Sequence, residues 1–176
     1  MLTRTRALAV TIAALIAVGS ILVLTTATAA TSTHTIWLSP RGFVTAQNLA
    51  GGHLSMGSPS GDEEHVTTDT TGDLQWVSYP LQLSNGLKIK QVITCYKVDN
   101  ASSFISQVRL TTSKVPPTAT VVYDDPTDLT STAGACHAGQ HSSISVNGEI
   151  TLSLRLNFSS TGHAIDIGAI GVVVTP

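Results

Sequence analysis

Between Glu149 and Phe158 the sequence alternates apolar and polar side chains without interruption. Successive side chains of a β-strand point to opposite faces of the sheet. A period of two therefore predicts a strand with one face in a core and the other in solvent. Such a strand needs a second apolar layer to cover it, which directs the chain towards a layered β-fold. The apolar positions are Ile150, Leu152, Leu154, Leu156 and Phe158.

The other regular segments are also short, rich in β-branched residues and bounded by Gly, Pro, Asn, Asp or Ser. None has the long 3.6-residue period of an amphipathic helix. Together they predict about eight strands in an all-β fold, a single antiparallel two-sheet sandwich of the jelly-roll kind. Besides 149–158, the predicted strands cover 35–38, 42–49, 75–81, 87–98, 104–112, 118–123 and 164–175.

Two of these segments depart from simple alternation. The strand over 87–98 changes parity between Ile89 and Val92, which predicts either a β-bulge near Gln91 or burial on both faces. The segment 164–175 is apolar at both parities and contains two glycines. It is predicted to be a central strand that bends at the glycines.

Turn-forming residues mark the connections. Asn147-Gly148 tolerates positive φ and predicts a tight hairpin that leads into the strand over 149–158. The stretch 50–71 is rich in Gly, Ser, Asp and Glu and is predicted to form a long loop. No internal repeat and no second domain are indicated.

The first 30 residues have the features of a secretory signal peptide. Arg4 and Arg6 precede an apolar run over 7–24, and small residues at 27–30 offer a cleavage site. An uncleaved membrane anchor is the alternative, and it would be the only contact with a membrane. Residues 31–176 are therefore predicted to form one domain that is secreted or held at the cell surface.

Charged side chains are scarce. Lys and Arg number 9 and Asp and Glu 11, which gives a net charge of −2, while 25 Thr and 19 Ser supply polar surface instead. Without a basic field, the chain is not expected to bind nucleic acid. Its 42% of hydrophobic residues argue against disorder.

Cys95 and Cys136 are the only cysteines. In an exported chain we expect them to form a disulfide, and two buried free thiols are the alternative. On the loop-entropy model, closing a ring of about 40 residues stabilises the folded state by roughly 4 kcal/mol.

Two segments carry metal-ligating side chains. Asp62, Glu63 and Glu64 are candidate Ca²⁺ ligands in an extracellular loop, although the alternating carboxylates of a calcium-binding loop are missing. His137 and His141 are candidate ligands of another site, although the paired spacing of a structural zinc site is absent. A solvated acidic loop and ordinary loop histidines are the alternatives, and no other cofactor is indicated.

No catalytic motif is present. The segment 57–61 places Pro59 where a serine elbow has its nucleophile. Ser-x-x-Lys, His-Glu-x-x-His, P-loop and dinucleotide-binding patterns are missing as well. We therefore assign no catalytic residue. Carboxylates that meet only in the fold keep a small extracellular hydrolase as an alternative.

Aromatic side chains are the remaining candidates for ligand binding. Trp37, Trp76 and Tyr79 are candidates for a platform on which sugar rings stack. Such a platform needs exposed aromatic faces. Packing in the core is the alternative, and it is the default for a large aromatic residue such as Trp76.

The segment 76–89 leads from an aromatic residue and a Pro-Leu-Gln-Leu run through a glycine turn into a long strand. Together with the run Val108-Arg109-Leu110, it resembles secreted bacterial β-sandwich proteins of unassigned function. Ser84-Asn85 stands where that pattern usually has a proline before the turn glycine. The resemblance implies a β-sandwich fold and attaches no catalytic residue to any position.

These observations favour a non-enzymatic β-sandwich that acts as a structural or interaction module at the cell surface or outside the cell. Its partner would be a second copy, through self-association of sheet edges, or a glycan or protein at a surface. A carbohydrate-binding module with aromatic contacts and a small extracellular hydrolase are the alternatives.

Overall fold

The computed structural model describes residues 32–46, 53–114 and 118–176, with the backbone alone at 114, 141 and 142. The predicted signal peptide, 1–30, lies outside these residues. Within them the chain forms eleven β-strands and one short 3-10 helix, Pro40–Gly42. No helix in these ranges is long and apolar enough to cross a membrane. The strands are β1 (His34–Leu38), β2 (Val44–Thr45), β3 (Leu54–Gly57), β4 (Glu64–Thr68), β5 (Gly72–Leu81), β6 (Lys88–Val98), β7 (Phe104–Lys114), β8 (Thr118–Asp125), β9 (Ala135–Ser145), β10 (Glu149–Phe158) and β11 (Ala164–Thr175).

The strands form two sheets. The six-stranded sheet has the order β3-β4-β11-β6-β9, and β4 pairs with the first half of β11 while β1 pairs with its second half. The five-stranded sheet has the order β2-β5-β10-β7-β8. These strand pairs are antiparallel. The predicted all-β, two-sheet antiparallel sandwich is therefore confirmed, with eleven strands in the described residues where about eight were predicted.

The core lies between the two sheets. β10 is central in the five-stranded sheet, and the five apolar side chains of its alternating row are completely buried, as predicted. β11 is central in the other sheet and supplies a second buried row to the same hydrophobic cluster. Its members are Ile165, Ile167, Ile170, Val172 and Val174.

Bulges interrupt the two central strands of the six-stranded sheet. In β6 the pairing with both neighbours shifts between Ile89 and Gln91, which confirms the predicted bulge. The extra residue lets Ile89 and Val92 both face the core. In β11 the register shifts so that Gly168 and Ala169 together lie opposite a single residue of β6.

Two predicted loops are strands in part. The long loop predicted over 50–71 is wrong over β3 and β4, which pair with each other and add to the edge of β11. His137 was predicted in a loop, but it lies on β9. Both segments are poor in large apolar residues, so pairing with a neighbouring strand, rather than their own pattern, makes them strands.

The hairpin predicted at Asn147-Gly148 is also wrong. β9 belongs to the six-stranded sheet and β10 to the five-stranded sheet, so the turn carries the chain from one sheet to the other. Gly148 does adopt the positive φ that the dipeptide suggested, at 111°. The local conformation was therefore readable from the sequence, but the pairing partner was not.

The predicted disulfide between Cys95 and Cys136 is confirmed. The two residues lie directly opposite each other on β6 and β9. The side chains before and after Cys95, Thr94 and Tyr96, point into the core. The disulfide therefore lies on the outer face of the six-stranded sheet, where Cys136 is exposed.

A polar bridge joins the edges of the two sheets, where β8 approaches β9. The carboxylate of Asp125 accepts hydrogen bonds from the Tyr123 hydroxyl, at 2.9 Å, and from Nε2 of His137, at 2.8 Å. Gly139 makes the approach feasible, because a Cβ at this position would overlap the Tyr123 hydroxyl and lie 2.8 Å from Asp125 Oδ2.

We predict that Gly139→Ala destabilises the protein by about 1–3 kcal/mol, the range for overpacking a filled site. Gly134→Ala is the matched control, because a Cβ there meets no atom within 4 Å. Urea denaturation monitored by circular dichroism measures both free energies of unfolding. Adding Tyr123→Phe to Gly139→Ala should recover part of the loss, and equal stability of the two alanine variants would contradict the packing argument.

Candidate functional site

The three aromatic residues predicted to bind ligand lie in three different places. Trp37 is on the outer face of the six-stranded sheet, and its side chain is 57% exposed. Trp76 is on the outer face of the five-stranded sheet and is half-buried. Tyr79 packs between the sheets, edge-on to Phe43 with ring centroids 5.3 Å apart. They therefore do not form one shared platform.

Trp76 is covered by cations. The guanidinium carbon of Arg109 lies 4.9 Å from its ring centroid, and that of Arg155 lies at 6.0 Å. Arg109 pairs with Asp124 and Arg155 with Asp73, each at 3.2 Å. These contacts occupy the ring with cation–π interactions and leave little of it for a ligand. Trp76 is thus neither a core residue nor an open platform.

Trp37 is open to solvent and lies on a row of residues that crosses four strands. Trp37, Gly171, Ile93 and Ala138 are successive partners on β1, β11, β6 and β9. We call these four residues the Trp37 row. A Cβ on Gly171 would lie 3.0 Å from Trp37 Cζ3 and 3.2 Å from Ile93, so the absent side chain lets the indole lie against the sheet. The row is an apolar strip with an exposed aromatic ring at one end.

A groove of about 560 Å³ opens on the same face of this sheet. Its wall carries polar side chains from three segments, and its floor includes the disulfide and the bulge glycine of β11. The residues that matter here are Ser60, Glu63, Cys95, Lys97, Cys136, Asp166 and Gly168. The outward side chains of Ile93 and Cys95 are two residues apart on β6, about 7 Å. The Trp37 row and the groove are therefore neighbours along one strand.

The segment before β4 forms one wall of the groove and is held by a side chain from far away in sequence. Arg41 Nη2 donates hydrogen bonds to the carbonyl of Gly61, at 2.9 Å, and to the Ser58 hydroxyl, at 3.3 Å. The Ser60 hydroxyl donates to Glu63, and this hydrogen bond lowers the pKa of the Glu63 carboxyl. The groove wall thus presents an ionised carboxylate.

The other wall includes Asp166 on β11. Its carboxylate lies opposite His65 of β4, with Nδ1 and Oδ1 2.6 Å apart. Lys97 is the residue of β6 that pairs with Asp166 in the sheet, and it is exposed. A cation and carboxylates therefore face the same space.

The predicted calcium ligands point in different directions. Asp62 is exposed, Glu63 lines the groove, and Glu64 is 8% exposed on the core side of β4. Burial raises the pKa of the Glu64 carboxyl, and the positive charge of Arg41 partly opposes this rise. Consecutive carboxylates that diverge in this way do not converge on one ion.

Of the two histidines predicted as ligands near the disulfide, His137 is the one whose side chain is described. His137 faces Asp125 at the sheet edge, whereas the neighbouring Cys136 is bonded to Cys95 on the opposite face. Of His141 only the backbone is described, as part of β9. Across the described ranges of the chain, no group of three or more His, Cys, Asp or Glu side chains is placed to hold a metal ion.

Serine and histidine side chains do meet at one end of the sandwich. The hydroxyl of Ser103 lies 2.8 Å from Nδ1 of His163, and it accepts a hydrogen bond from the Ser159 backbone N–H at 2.9 Å. Ser103 has no solvent exposure. A nucleophile must reach its substrate, so this cluster joins two loops and does not form an active site.

The surroundings of Asp125 shift the pKa of its carboxyl strongly. Desolvation would raise its pKa, but hydrogen bonds from Thr127, His137 and Tyr123 outweigh it and lower the pKa from 3.8 to about 2. The same surroundings raise the pKa of Tyr123, first through burial and then through the neighbouring carboxylate. This site lies on the other face of β9 from the groove residue Cys136, and it binds the two sheets together.

No protein-family model and no curated protein matches this sequence. Among solved structures, the chain is similar to the CBM36-1 domain of a multidomain xylanase from the hindgut metagenome of Trinervitermes trinervoides. The two are 10% identical, with a TM-score of 0.49, and the match covers 79% of this chain and 96% of that one. The carbohydrate-binding module CBM36 in complex with calcium and xylotriose is 17% identical, with a TM-score of 0.42 over 74% of this chain and 98% of that chain. The insecticidal crystal protein Cry2Aa is 11% identical, with a TM-score of 0.46 over 81% of this chain and 22% of its own. No residue role is transferred from them.

The lowered pKa of Asp125 predicts an acid-sensitive fold. A carboxyl group whose pKa falls on folding stabilises the protein fully above its unfolded value, near 3.9, and this contribution is lost as the pH falls towards 2. Asp125→Asn should therefore lower the free energy of unfolding at pH 7, and its difference from the wild type should shrink between about pH 4 and pH 2.

Urea denaturation at pH 7, 4 and 2.5 measures this dependence. Asp128→Asn is the matched control, an exposed carboxylate three residues along the chain, and it should track the wild type. A difference between Asp125→Asn and wild type that stays constant down to pH 2.5 would disprove the assignment.

Proposed function

We propose that the protein is a non-enzymatic binding module that acts outside the cytoplasm and holds carbohydrate on the outer face of its six-stranded sheet. The observation that carries this proposal is the position of Trp37. Its indole is 57% exposed and rests on Gly171, in a strip that contains no charged side chain. The disulfide supports an oxidising compartment, because such bonds persist mainly outside the cytoplasm.

A sugar ring has an apolar C–H face and a rim of hydroxyl groups. An exposed indole offers the apolar face a flat surface, and burying such a ring removes about 150–250 Å² from water. The neighbouring groove supplies the polar partners that hydroxyl groups need, because Ser60, Glu63 and Lys97 line it. A flat apolar strip beside a polar groove fits a ligand that is itself apolar on its faces and polar at its rim.

The outer face of the five-stranded sheet is a poorer candidate. Trp76 already has cations over its ring, and the paired Asp73 and Asp124 neutralise those cations. A ligand would have to displace these contacts before it could stack. We therefore place carbohydrate binding at Trp37 and not at Trp76.

Trp37→Ala should weaken carbohydrate binding by about tenfold or more, equivalent to about 1.4 kcal/mol, while Trp76→Phe should leave it unchanged. Isothermal titration of the secreted protein with xylo-, cello- and manno-oligosaccharides measures the affinities. Failure of the wild type to bind any of these sugars, or equal binding by Trp37→Ala, would refute the proposal. Loss of binding in Trp76→Phe alone would move the site to the other sheet.

The chain has two tryptophans, so Trp76→Phe also leaves Trp37 as the single indole emitter. Acrylamide should quench its fluorescence readily in the free protein, because the ring is exposed. Bound oligosaccharide should protect it and shift its emission to shorter wavelength. Quenching that is the same with and without sugar would show that the ligand does not cover Trp37.

A further inference from the structure

We propose that the groove beside Trp37 is a second subsite for a neutral oligosaccharide that runs along β6. This proposal rests on the proposed carbohydrate-binding function. Arg41 is the positioning residue of the second subsite. The ligand class is a chain of uncharged sugars with adjacent free hydroxyl groups. Trp37 would hold one ring by stacking, and the groove would hold another by hydrogen bonds.

The direction in which the oligosaccharide would run follows from the outward side chains of β6. Ile93, Cys95 and Lys97 alternate with the core residues of this strand and so share its outer face. Ile93 belongs to the Trp37 row, whereas Cys95 and Lys97 line the groove. A ligand that stacks on Trp37 and crosses Gly171 to Ile93 reaches the groove at Cys95, about 7 Å further along this strand.

The floor of the groove has no side chain at Gly168 and is completed by the disulfide. A Cβ on Gly168 would lie 3.3 Å from the Cys95 carbonyl oxygen and 3.4 Å from Cys95 Cβ, so any larger residue would crowd the β11 bulge. The disulfide lies beside it and offers a surface without hydrogen-bonding groups. A sugar face can pack on such a floor while its hydroxyl groups reach the walls.

The walls provide both kinds of hydrogen-bonding partner. The carboxylates of Glu63 and Asp166 accept hydrogen bonds from hydroxyl groups, and the ammonium of Lys97 donates. Hydrogen bonds to charged groups are stronger than those between neutral groups. The walls carry charges of both signs, and Asp166 already pairs with His65, so no strong net charge selects a charged polymer and a neutral chain fits the groove.

Arg41 acts on this site through the wall that it holds. Its guanidinium ties Ser58 and Gly61, which flank Ser60, and Gly61 adopts a φ of 96° that favours glycine. Ser60 and Glu63 therefore keep their positions only while this contact holds. Arg41 itself does not line the groove, so it positions the ligand-binding residues and does not bind the ligand.

Chain-length dependence of binding tests the second subsite. We would titrate the wild type with xylo-, cello- and manno-oligosaccharides of two to six residues, and with polygalacturonate as an acidic polymer. Wild type should bind the best hexasaccharide about tenfold more tightly than its disaccharide. Lys97→Ala and Glu63→Gln should lose most of this gain while their affinity for the disaccharide, held at Trp37, stays within about twofold of wild type.

Lys90→Ala is the matched control, because Lys90 is an exposed lysine of the same strand that does not line the groove. It should keep the full gain with chain length. Arg41→Ala should behave like Glu63→Gln in this measurement, and Arg41→Lys, whose flexible side chain lacks the rigid planar guanidinium, should recover little. If Arg41→Ala does not fold, the Arg41→Lys variant decides the positioning role.

The outcomes separate this proposal from the proposed function. If Trp37→Ala abolishes binding while Lys97→Ala and Glu63→Gln keep the gain with chain length, the second subsite is refuted and the function stands. If wild type binds no sugar, both are refuted. Tighter binding of polygalacturonate than of every neutral oligosaccharide would overturn the ligand class, and an unchanged gain in the Arg41 variants would overturn the positioning role.

Discussion

Contact between the inner rows of β10 and β11 holds the two sheets together, and the remaining features of the molecule are arranged around it. Each large apolar side chain in these rows contributes about 1.5–3 kcal/mol by leaving water. In a sandwich stabilised in this way, the inner faces of both sheets are buried in the core. Any ligand would therefore have to bind on the outer faces or at the edges of the sheets.

The electrostatic interactions described above lie at the edges of the sheets, at the groove wall and on the outer face around Trp76. Asp125 joins β8 to β9 across the open side of the sandwich, and Arg41 fixes the wall of the groove. On the five-stranded sheet, paired arginines and aspartates cover Trp76. The two tryptophans thus differ in their neighbours as well as in their exposure. One is enclosed by cations, while the other lies on a glycine and is open to solvent.

The sequence was sufficient to predict features that depend on the local alternation of apolar side chains or on the number of cysteines. The buried row of β10, the bulge of β6 and the pairing of the two cysteines belong to this class. β9 was not predicted because Ala135–Ser145 consists mainly of small and polar residues. It is a strand because it pairs with β6. The groove could not be foreseen, since it brings together the 58–63 segment, β6, β9 and β11, which are distant from one another in the sequence. The surface on which each tryptophan lies depends on the same register, because a shift by one residue exchanges the faces of a strand.

The disulfide closes a covalent loop in which the chain leaves the six-stranded sheet and returns to it. Cys95 lies on β6, the chain then passes through β7 and β8 in the five-stranded sheet, and Cys136 begins the return on β9. A protease that cuts once anywhere between these cysteines therefore leaves a single covalent molecule, whose two pieces stay joined beside the groove. In any compartment that contains proteases, such a cut would divide the polypeptide into two pieces without releasing either of them.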